Sequence, residues 1–433
     1  MKKWIWILLL VSAIPAVAGV LTLSDCYRKA EMNHPLEKAL AQRRRILELN
    51  RSNWNIGWLP KLAVNLNATY TSDVLDFSEV MSSLPLQLPA GMFPETPKDQ
   101  YKAVIEISQT LYDGGAVSAG KQLEQASYRA DTEAIRVEIY QSRDQINQSY
   151  FALLALEKQK DMAGLFRDEI SERRKVVLSG IRNGMVLPST LDVLDAELLK
   201  IDQQLTEIEL NQDKSRTVLA SLIGEPVADK TLSLPEVVLP EDLEIVRPEV
   251  LLFEDRKSLI GKRENMLSVQ RRPKLFAFGS YGYGKPPGTN FLHTEFDTYT
   301  IAGVGMTWSP FDWNTTRRSK QALSNQEHIT ETKIQNFKRN IRMALNAKQA
   351  DIKRLNALLK KDEKLIRLRE KIKQAAASKL DNGAISATEF LTELNAEREA
   401  RISLKLHQIQ KVEAQIQCLT LSGQMDHQEA REQ

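Results

Sequence analysis

The chain has few of the residues from which disulfide scaffolds and metal sites are built. Of its 433 residues only two are cysteine, Cys26 and Cys418, and five are histidine. Two thiols cannot make a disulfide-rich scaffold, and their spacing is not that of a zinc site. We interpret them as packed free thiols, with one disulfide as the alternative. The sequence also lacks a nucleophile elbow, a zinc motif and an isolated carboxylate pair, so we expect no enzymatic activity and no cofactor.

An excess of charge of one sign and long apolar runs are also lacking. The chain has 59 basic and 56 acidic residues, and this balance gives no reason to expect nucleic acid as a partner. After residue 18 there is no apolar run of the length, roughly 18 residues, that a transmembrane helix needs. If the chain enters a bilayer, it must therefore do so with strands.

The start of the chain has the pattern of a secretory signal peptide. A short basic segment precedes an apolar run that ends near Ile14, and a small-residue cleavage site ends at Ala18. We expect residues 1–18 to be removed on export. The apolar run is too short for a membrane anchor. A lipoprotein would need a small residue before Cys26, where the chain has Asp25.

From Asp113 onward the chain repeats one pattern at a shift of 199 residues, with a local slip to 200 at Ala196-Glu197, and this predicts an internal duplication. We place the first repeat at 19–224, a linker at 225–248, the second repeat at 249–423 and a polar tail at 424–433. The segments that match at this shift are Asp113 with Asp312, Asn183-Gly184 with Asn382-Gly383, and Leu222-Ile223-Gly224 with Leu421-Ser422-Gly423.

Each repeat is predicted to contain two strands between helices. Apolar and polar residues alternate in the first pair, which indicates strands with one dry and one wet face. The predicted strands are 62–71, 101–112, 274–284 and 299–309. Aromatic residues cluster in or beside them, as in the girdles of a membrane barrel. The alternative is the aromatic core of a soluble sheet. These aromatic residues are Tyr70, Tyr101, Tyr112, Phe276, Phe278, Tyr281, Tyr283, Tyr299, Trp308, Phe311 and Trp313.

The helices are predicted to form two coiled-coil hairpins. A first helix is expected at 33–58 and its counterpart at 247–270. Leucine and isoleucine recur at heptad spacing beyond Leu191, and the long helices are predicted at 116–180 and 315–379. At 1.5 Å per residue each would be about 100 Å long, which suits a hairpin spanning the periplasm better than a compact globule.

Several short segments, in this order, resemble the TolC-type outer-membrane efflux proteins over nearly the whole mature chain. Two places depart from the family pattern: His34 separates Asn33 from Pro35, and Trp313-Asn314 stands where a glycine is common. The segments that carry the resemblance are Leu23-Ser24-Asp25-Cys26, Asn33-His34-Pro35, Leu59-Pro60, Tyr112-Asp113-Gly114-Gly115, Asn183-Gly184, Leu222-Ile223-Gly224 and Arg247-Pro248.

The resemblance implies an α+β membrane protein that forms a homotrimer. Each subunit would give four strands to a twelve-stranded barrel in outer-membrane lipid, and helices to a tunnel in the periplasm. Four strands alone leave two open edges, which hydrocarbon does not tolerate, and eight would leave too narrow a pore. The linker 225–248 would pack at the waist of this tunnel, and Cys26 and Cys418 would lie on neighbouring helices nearby.

The function that the resemblance implies is that of a passive exit duct in the outer membrane of a Gram-negative cell. The chain would serve a tripartite efflux or type I secretion system, in which a periplasmic adaptor and an inner-membrane pump supply cargo and energy. The alternative is a periplasmic adaptor or another soluble coiled-coil structural protein. Adaptors have one helical hairpin, whereas this chain has two.

The two helical turns are the candidate gate and adaptor contact. Threefold repetition would bring their acids around one axis, where carboxylates attract cations. Ion pairs from the arginine at the first turn to acids of the next helix would hold the ring closed. The candidate residues are Arg182, Asn183, Gly184, Asp192, Asp195, Asp381, Asn382, Gly383, Glu389 and Glu393.

Overall fold

The computed structural model describes residues 19–74, 96–227, 230–240, 242–290 and 293–425. Three segments lie outside these residues. They are the predicted signal peptide, most of the polar tail and the middle of the loop between the first two predicted strands, 62–71 and 101–112. The elements, in chain order, are β1 (Val20–Leu21), α1 (Leu23–Asn33), α2 (Glu37–Ile56), β2 (Lys61–Tyr70), β3 (Asp99–Tyr112), α3 (Ala116–Arg182), α4 (Ser189–Ile223), β4 (Thr231–Leu232), α5 (Pro248–Gln270), β5 (Lys274–Lys285), β6 (Asp297–Thr307), α6 (Thr315–Asp381) and α7 (Ala387–Ser422).

The predicted mixture of long helical hairpins and four strands is confirmed. All four strands lie within two residues of their predicted bounds. The long helices α3 and α6 have 67 residues each, and their first residues, Ala116 and Thr315, are 199 positions apart.

The first helix predicted at 33–58 is present as α2 (Glu37–Ile56), and it is preceded by a further helix, α1, that was not predicted. α1 already ends at Asn33, and His34 is extended with φ −63° and ψ 131°. The residue before a proline is disfavoured in the helical region, and Pro35 follows His34. The beginning of α1 has its own cap, since the backbone N–H of Asp25 donates to Thr22 Oγ1 at 3.1 Å.

The described chain forms two compact units. We call them the sheet unit, within Ala41–Thr132 and Phe253–Thr332, and the hairpin unit, which comprises the described residues of Met1–Leu40, Glu133–Leu252 and Lys333–Gln433. Within the described residues, no helix is both long enough and apolar enough to cross a bilayer.

The sheet unit contains one antiparallel sheet with the strand order β2-β3-β5-β6. Because directly paired residues of antiparallel strands point to the same side, the register defines two faces. We call one the apolar face, and its large side chains are all exposed. They are Leu62, Val64, Leu66, Tyr70, Tyr101, Ile105, Ile107, Tyr281, Tyr283, Val304 and Met306. The other face carries Asn65, Asn67, Thr69, Lys102, Glu106, Ser108 and Ser280.

Three of the aromatic residues expected in a girdle point away from the apolar face. Phe278 pairs with Gly303 and Phe276 with Gly305 on the polar side of the sheet. A Cβ atom at Gly303 would lie 2.8 Å from the ring of Phe278, so the ring occupies the space that a side chain would need. Tyr299 covers Gly282 in the same way. These rings protect glycine backbone within the sheet, and the girdle interpretation does not apply to them.

The hairpin unit is held together by apolar clusters between its helices. One cluster joins Cys26 and Tyr27 of α1 to Tyr150 of α3, Ile223 of α4 and Leu419 of α7. A second cluster, which we call the turn cluster, joins the two hairpins. Its buried members include Phe166, Ile170, Leu194, Ile201, Phe390 and Leu394.

Both cysteines are buried free thiols. Cys26 belongs to the cluster around α1, whereas Cys418 packs with Ile341 and Leu345 in a third cluster. The interpretation of two packed thiols is therefore confirmed, and the alternative of a disulfide between them is wrong.

Part of the predicted linker pairs with the beginning of the described chain. β4 forms a short parallel pair with β1, in which Leu21 is the partner of Leu232. The hydroxyl of Tyr150 donates to the carbonyl oxygens of Leu21, at 2.9 Å, and Ser233, at 2.6 Å. The linker is thus tied into the core of the hairpin unit by backbone pairing and by a buried side chain.

Candidate functional site at the helical turns

The two hairpins reverse direction through turns of the same construction. Gly184 and Gly383 are left-handed, with φ of +71° and +70°. The N–H of Met185 donates to Gly180 O, and the N–H of Ala384 donates to Lys379 O, both at 2.8 Å. This is the pattern of a helix that ends in a Schellman motif, for which glycine is the usual residue. The side chain of Asn382 adds a bond to Ser378 O at 2.9 Å, and Asn183 is exposed.

The helices that follow the turns begin differently. α7 has a capping box, in which the N–H of Glu389 donates to Ser386 Oγ at 3.2 Å and the N–H of Ser386 donates to Glu389 Oε2 at 2.8 Å. The bond from the Ser386 backbone lowers the pKa of the Glu389 carboxyl. α4 begins after Pro188 without a side-chain cap. The carboxylate of Glu389 is thus hydrogen-bonded to Ser386 at the beginning of its own helix.

Three of the predicted acids form ion pairs with arginines that the sequence did not single out. Arg174 of α3 pairs with Asp195 of α4, and this bond lowers the pKa of Asp195. Arg369 of α6 lies 3.2 Å from Glu393 of α7. Each of these pairs joins the two helices of one hairpin.

The third pair joins one hairpin to the other. Arg173 of α3 pairs with Asp381, the last residue of α6, and its guanidinium lies 5.1 Å from the ring centroid of Phe390. Arg173 therefore contributes both charge and a cation–π contact to the packing of the hairpins.

Arg182 and Asp192 are not engaged in this way. Both side chains are exposed, and neither forms an ion pair within the part of the chain that the structure describes. Within a subunit, the ion pairs with the acids are formed by Arg173 and Arg174, about two turns earlier in α3, and not by Arg182. One signal could have found Arg174, because residues roughly equidistant from a hairpin turn face each other, as Arg174 and Asp195 do.

A charge network lies behind the turns, and its central residue, Glu397, is buried. Glu397 is only 4% exposed. Its carboxylate pairs with Arg401 and lies 3.8 Å from Lys373 Nζ, which is also 3.2 Å from Glu169 of the other hairpin. Beside this network, burial lowers the pKa of Arg398, whose guanidinium lies 4.4 Å from the ring centroid of Phe166. The two hairpins are therefore joined by paired charges as well as by the turn cluster.

The outermost residues of the first turn are apolar. Met185 is 74% exposed and Leu187 is 72% exposed. Within the described residues, no group of three or more His, Cys, Asp or Glu side chains is placed to hold a metal ion. The turns therefore offer apolar side chains and paired charges for contact.

An exposed apolar sheet face with a polar face behind it, together with two long helical hairpins, defines the fold of outer-membrane channels. The outer membrane protein VceC of Vibrio cholerae aligns with a TM-score of 0.64 at 12% identity, over 92% of this chain and 96% of VceC. The CmeC outer membrane channel of Campylobacter jejuni aligns with a TM-score of 0.63 at 14% identity, over 95% of this chain and 88% of CmeC. The open state of the MtrE outer membrane channel of Neisseria gonorrhoeae aligns with a TM-score of 0.62 at 14% identity, over 93% of this chain and 88% of MtrE.

The family model of the outer membrane efflux proteins matches residues 27–225 of the chain. The resemblance seen in the short sequence segments is thereby confirmed. The matched residues fall almost entirely within the first predicted repeat. A search of curated proteins found no match.

Proposed function

We propose that the chain is one subunit of a trimeric exit duct in the outer membrane, through which an inner-membrane pump expels its substrates. The family match and the fold support a channel, and the duct itself is passive. Residues 1–18 would direct export and be removed. A periplasmic adaptor would contact the helical turns, where Met185 and Leu187 offer exposed apolar side chains.

The observation that carries this proposal is the apolar face of the sheet. Leu66 is 76% exposed and Val304 is 78% exposed, although burying such side chains fully is worth roughly 1.5–3 kcal/mol each. A water-soluble protein would leave this stabilisation unused over a whole sheet face. Bilayer hydrocarbon covers such a face, while the polar face behind it lines an aqueous lumen.

The strand edges support assembly from several copies. β2 and β6 stand at the edges of the described sheet, each with a partner on one side only. Unpaired backbone groups are not tolerated in hydrocarbon, so the edges must pair with other copies. Three copies of a four-stranded sheet close into twelve strands, which leave a lumen, whereas two copies would give eight and fill it with side chains.

The proposal is tested by expressing the full chain and isolating the outer membrane. We expect the mature protein to begin at residue 19, to be extracted as a trimer in mild detergent and to form conducting pores in planar bilayers. A matched variant replaces Val64 and Leu66 by Asp, and we expect it to fail at insertion, because charge on the lipid face of a barrel costs free energy. A variant with Asp at Asn65 and Asn67, on the opposite face, is expected to insert. A stable detergent monomer, or equal insertion of both variants, would contradict the proposal.

A further inference from the structure

The sheet unit has two open grooves beside the ends of its strands. The groove that we call the second groove, because its residues come later in the chain, has a volume of about 740 Å³. It lies between the end of α5 and the first turns of α6, and its lining includes Arg271, Trp308, Arg317 and Lys320. The first groove, of about 610 Å³, lies between α2 and the first turns of α3. Its lining includes Arg51, Trp58, Tyr112 and Lys121. Each groove therefore combines basic side chains with aromatic ones.

The two grooves use equivalent positions of the repeated pattern. Lys121 and Lys320 are 199 residues apart, as are Gln122 and Gln321, and each of these four residues lines its groove. The second groove has an additional cation, because Arg317 stands where the first groove has Ser118. The same chemistry is thus present twice, and it is more basic in the second groove.

The cations of the second groove are not all neutralised by the protein. Lys320 Nζ lies 3.5 Å from Glu264, and Arg271 Nε lies 4.0 Å from Asp312. Arg317 is exposed and has no ion pair within the described residues. Three basic side chains therefore face two acids, and the surplus of positive charge suits an anion.

The rim of the second groove is apolar and continuous with the membrane-facing sheet. Trp308 is 55% exposed, and its indole N–H donates to Arg271 O at 3.1 Å. It lies two residues after Met306, a member of the apolar face. A ligand in this groove would meet cations at one end and apolar side chains at the other, which is the pattern of an amphipathic anion.

The backbone beside this rim has positive φ at two residues that are not glycine. Trp313 and Asn314 have φ of +52° and +62°, and a bulky side chain is a true outlier in that region. The equivalent positions in the first half are Gly114 and Gly115, which adopt positive φ without such strain. Trp313 is 77% exposed and contacts Phe311 edge to face at 4.8 Å. This conformation lets Asp312 Oδ2 accept from the N–H of Thr316 at 2.9 Å at the beginning of α6, and it leaves the ring of Trp313 exposed for a contact outside the subunit.

We propose that the second groove binds the headgroup of an anionic phospholipid at the membrane–water interface on the helical side of the sheet. The phosphate is held by Arg317 and Lys320, while Trp308, Phe311 and Trp313 lie against the glycerol and upper acyl region. The first groove binds the same class of lipid more weakly. This inference rests on the proposed function, since it requires the sheet to lie in a bilayer.

Native mass spectrometry of the full trimer tests the proposal, with phosphatidylglycerol or phosphatidylcholine added to the detergent. We expect phosphatidylglycerol to be retained in preference, and the variant R317S/K320Q to lose about tenfold in apparent affinity, as expected when charge-assisted hydrogen bonds are removed. The matched control R318S/K333Q removes the same two charges outside the groove. We expect it to stay within about twofold of the original chain.

A second variant examines the aromatic rim. Trp313→Gly copies the residue found at Gly114, and we expect it to lower crosslinking of a phosphatidylglycerol photoprobe to residues 308–320 by several-fold. No preference for phosphatidylglycerol, or equal losses in R317S/K320Q and R318S/K333Q, would overturn the proposal. So would crosslinks that place another copy of the chain in the groove. Trimer mass and pore conductance, measured on the same samples, separate these outcomes from a failure of the proposed function.

Discussion

Single residues determine how the sheet connects to the long helices. Asp113 Oδ1 and Oδ2 accept from the N–H groups of Gly115, at 2.7 Å, and Val117, at 2.6 Å. Gly114, which lies between Asp113 and Gly115, has φ +70°. A Cβ atom on this residue would lie 2.9 Å from Cβ of Arg272. Both the conformation and the space at this position therefore require glycine.

We expect Gly114→Ala to destabilise the protein by about 1–3 kcal/mol, because the added methyl group meets a left-handed backbone and a close neighbour. The matched control is Gly164→Ala in α3, where nothing lies within 4 Å of the new Cβ atom. That change is expected to stabilise the helix by about 0.5–1 kcal/mol. Thermal unfolding of both variants in the same detergent checks the difference, and equal midpoints would contradict it.

The thiol of Cys26 is the second prediction at this scale. Burial raises its pKa to about 12, and the Asp25 carboxylate adds to the shift. A raised thiol pKa means that the reactive thiolate is absent at pH 8 and appears only as the pH approaches 12. In the native protein we therefore expect negligible alkylation by iodoacetamide at pH 8. Unfolding without reductant should release two reactive thiols, and fewer than two would contradict the assignment of free cysteines.

At the scale of elements, the capping box at Ser386 distinguishes the two hairpins. The helix after the first turn begins without a side-chain cap, whereas Ser386 and Glu389 satisfy two N–H groups of α7. We expect Ser386→Ala to cost about 1 kcal/mol of stability. Thr388→Ala, an exposed change in the same turn, is expected to raise stability by a few tenths of a kcal/mol, because alanine is the better helix former. Hydrogen exchange at residues 386–390 should report faster opening in the first variant alone. Equal exchange in both variants would show that the capping box does not stabilise the beginning of α7.

Elements with strict periodicity were predictable from the sequence, and contacts between elements were not. The alternation around Val64 gave β2 to within one residue, because period two has few competing interpretations. The separate helix α1, which ends at Asn33, was not predicted, although Pro35 marks its end. The partners of Asp381 and Glu393 were missed for another reason. Pairing across helices depends on their relative rotation, and local sequence does not encode it.

The proposed gate belongs to the scale of the whole assembly. We propose that the acids near the turns surround the threefold axis of the trimer, and that Arg173, Arg174 and Arg369 hold them in place. Within one subunit three of the five predicted acids are paired with these arginines, and Glu389 is bonded at the cap. The fifth predicted acid, Asp192, is exposed and has no ion pair among the described residues.

We expect replacement of Asp381, Glu389 and Glu393 by Ala to raise the resting conductance of the trimer or to alter its cation selectivity. The change frees Arg173 and Arg369 and removes negative charge from the turns. The control replaces Asp161, Glu207 and Glu209, which are exposed acids away from the turns, by Ala. Planar-bilayer recordings compare the two. Unchanged conductance and selectivity in a correctly assembled triple variant would leave the turns without a gating role.

The open edges of the sheet also have a genetic consequence. Under the proposed closure, β2 and β6 of each copy complete the strands of its neighbours, so no copy has a barrel of its own. A subunit with a defective sheet edge would therefore prevent the barrel from closing in every assembly that it enters. If half of the subunits in a cell carried such a defect and mixed at random, few pores would consist of sound copies alone. Mutations at the edge strands are thus expected to be dominant, whereas mutations that only prevent export are expected to be recessive.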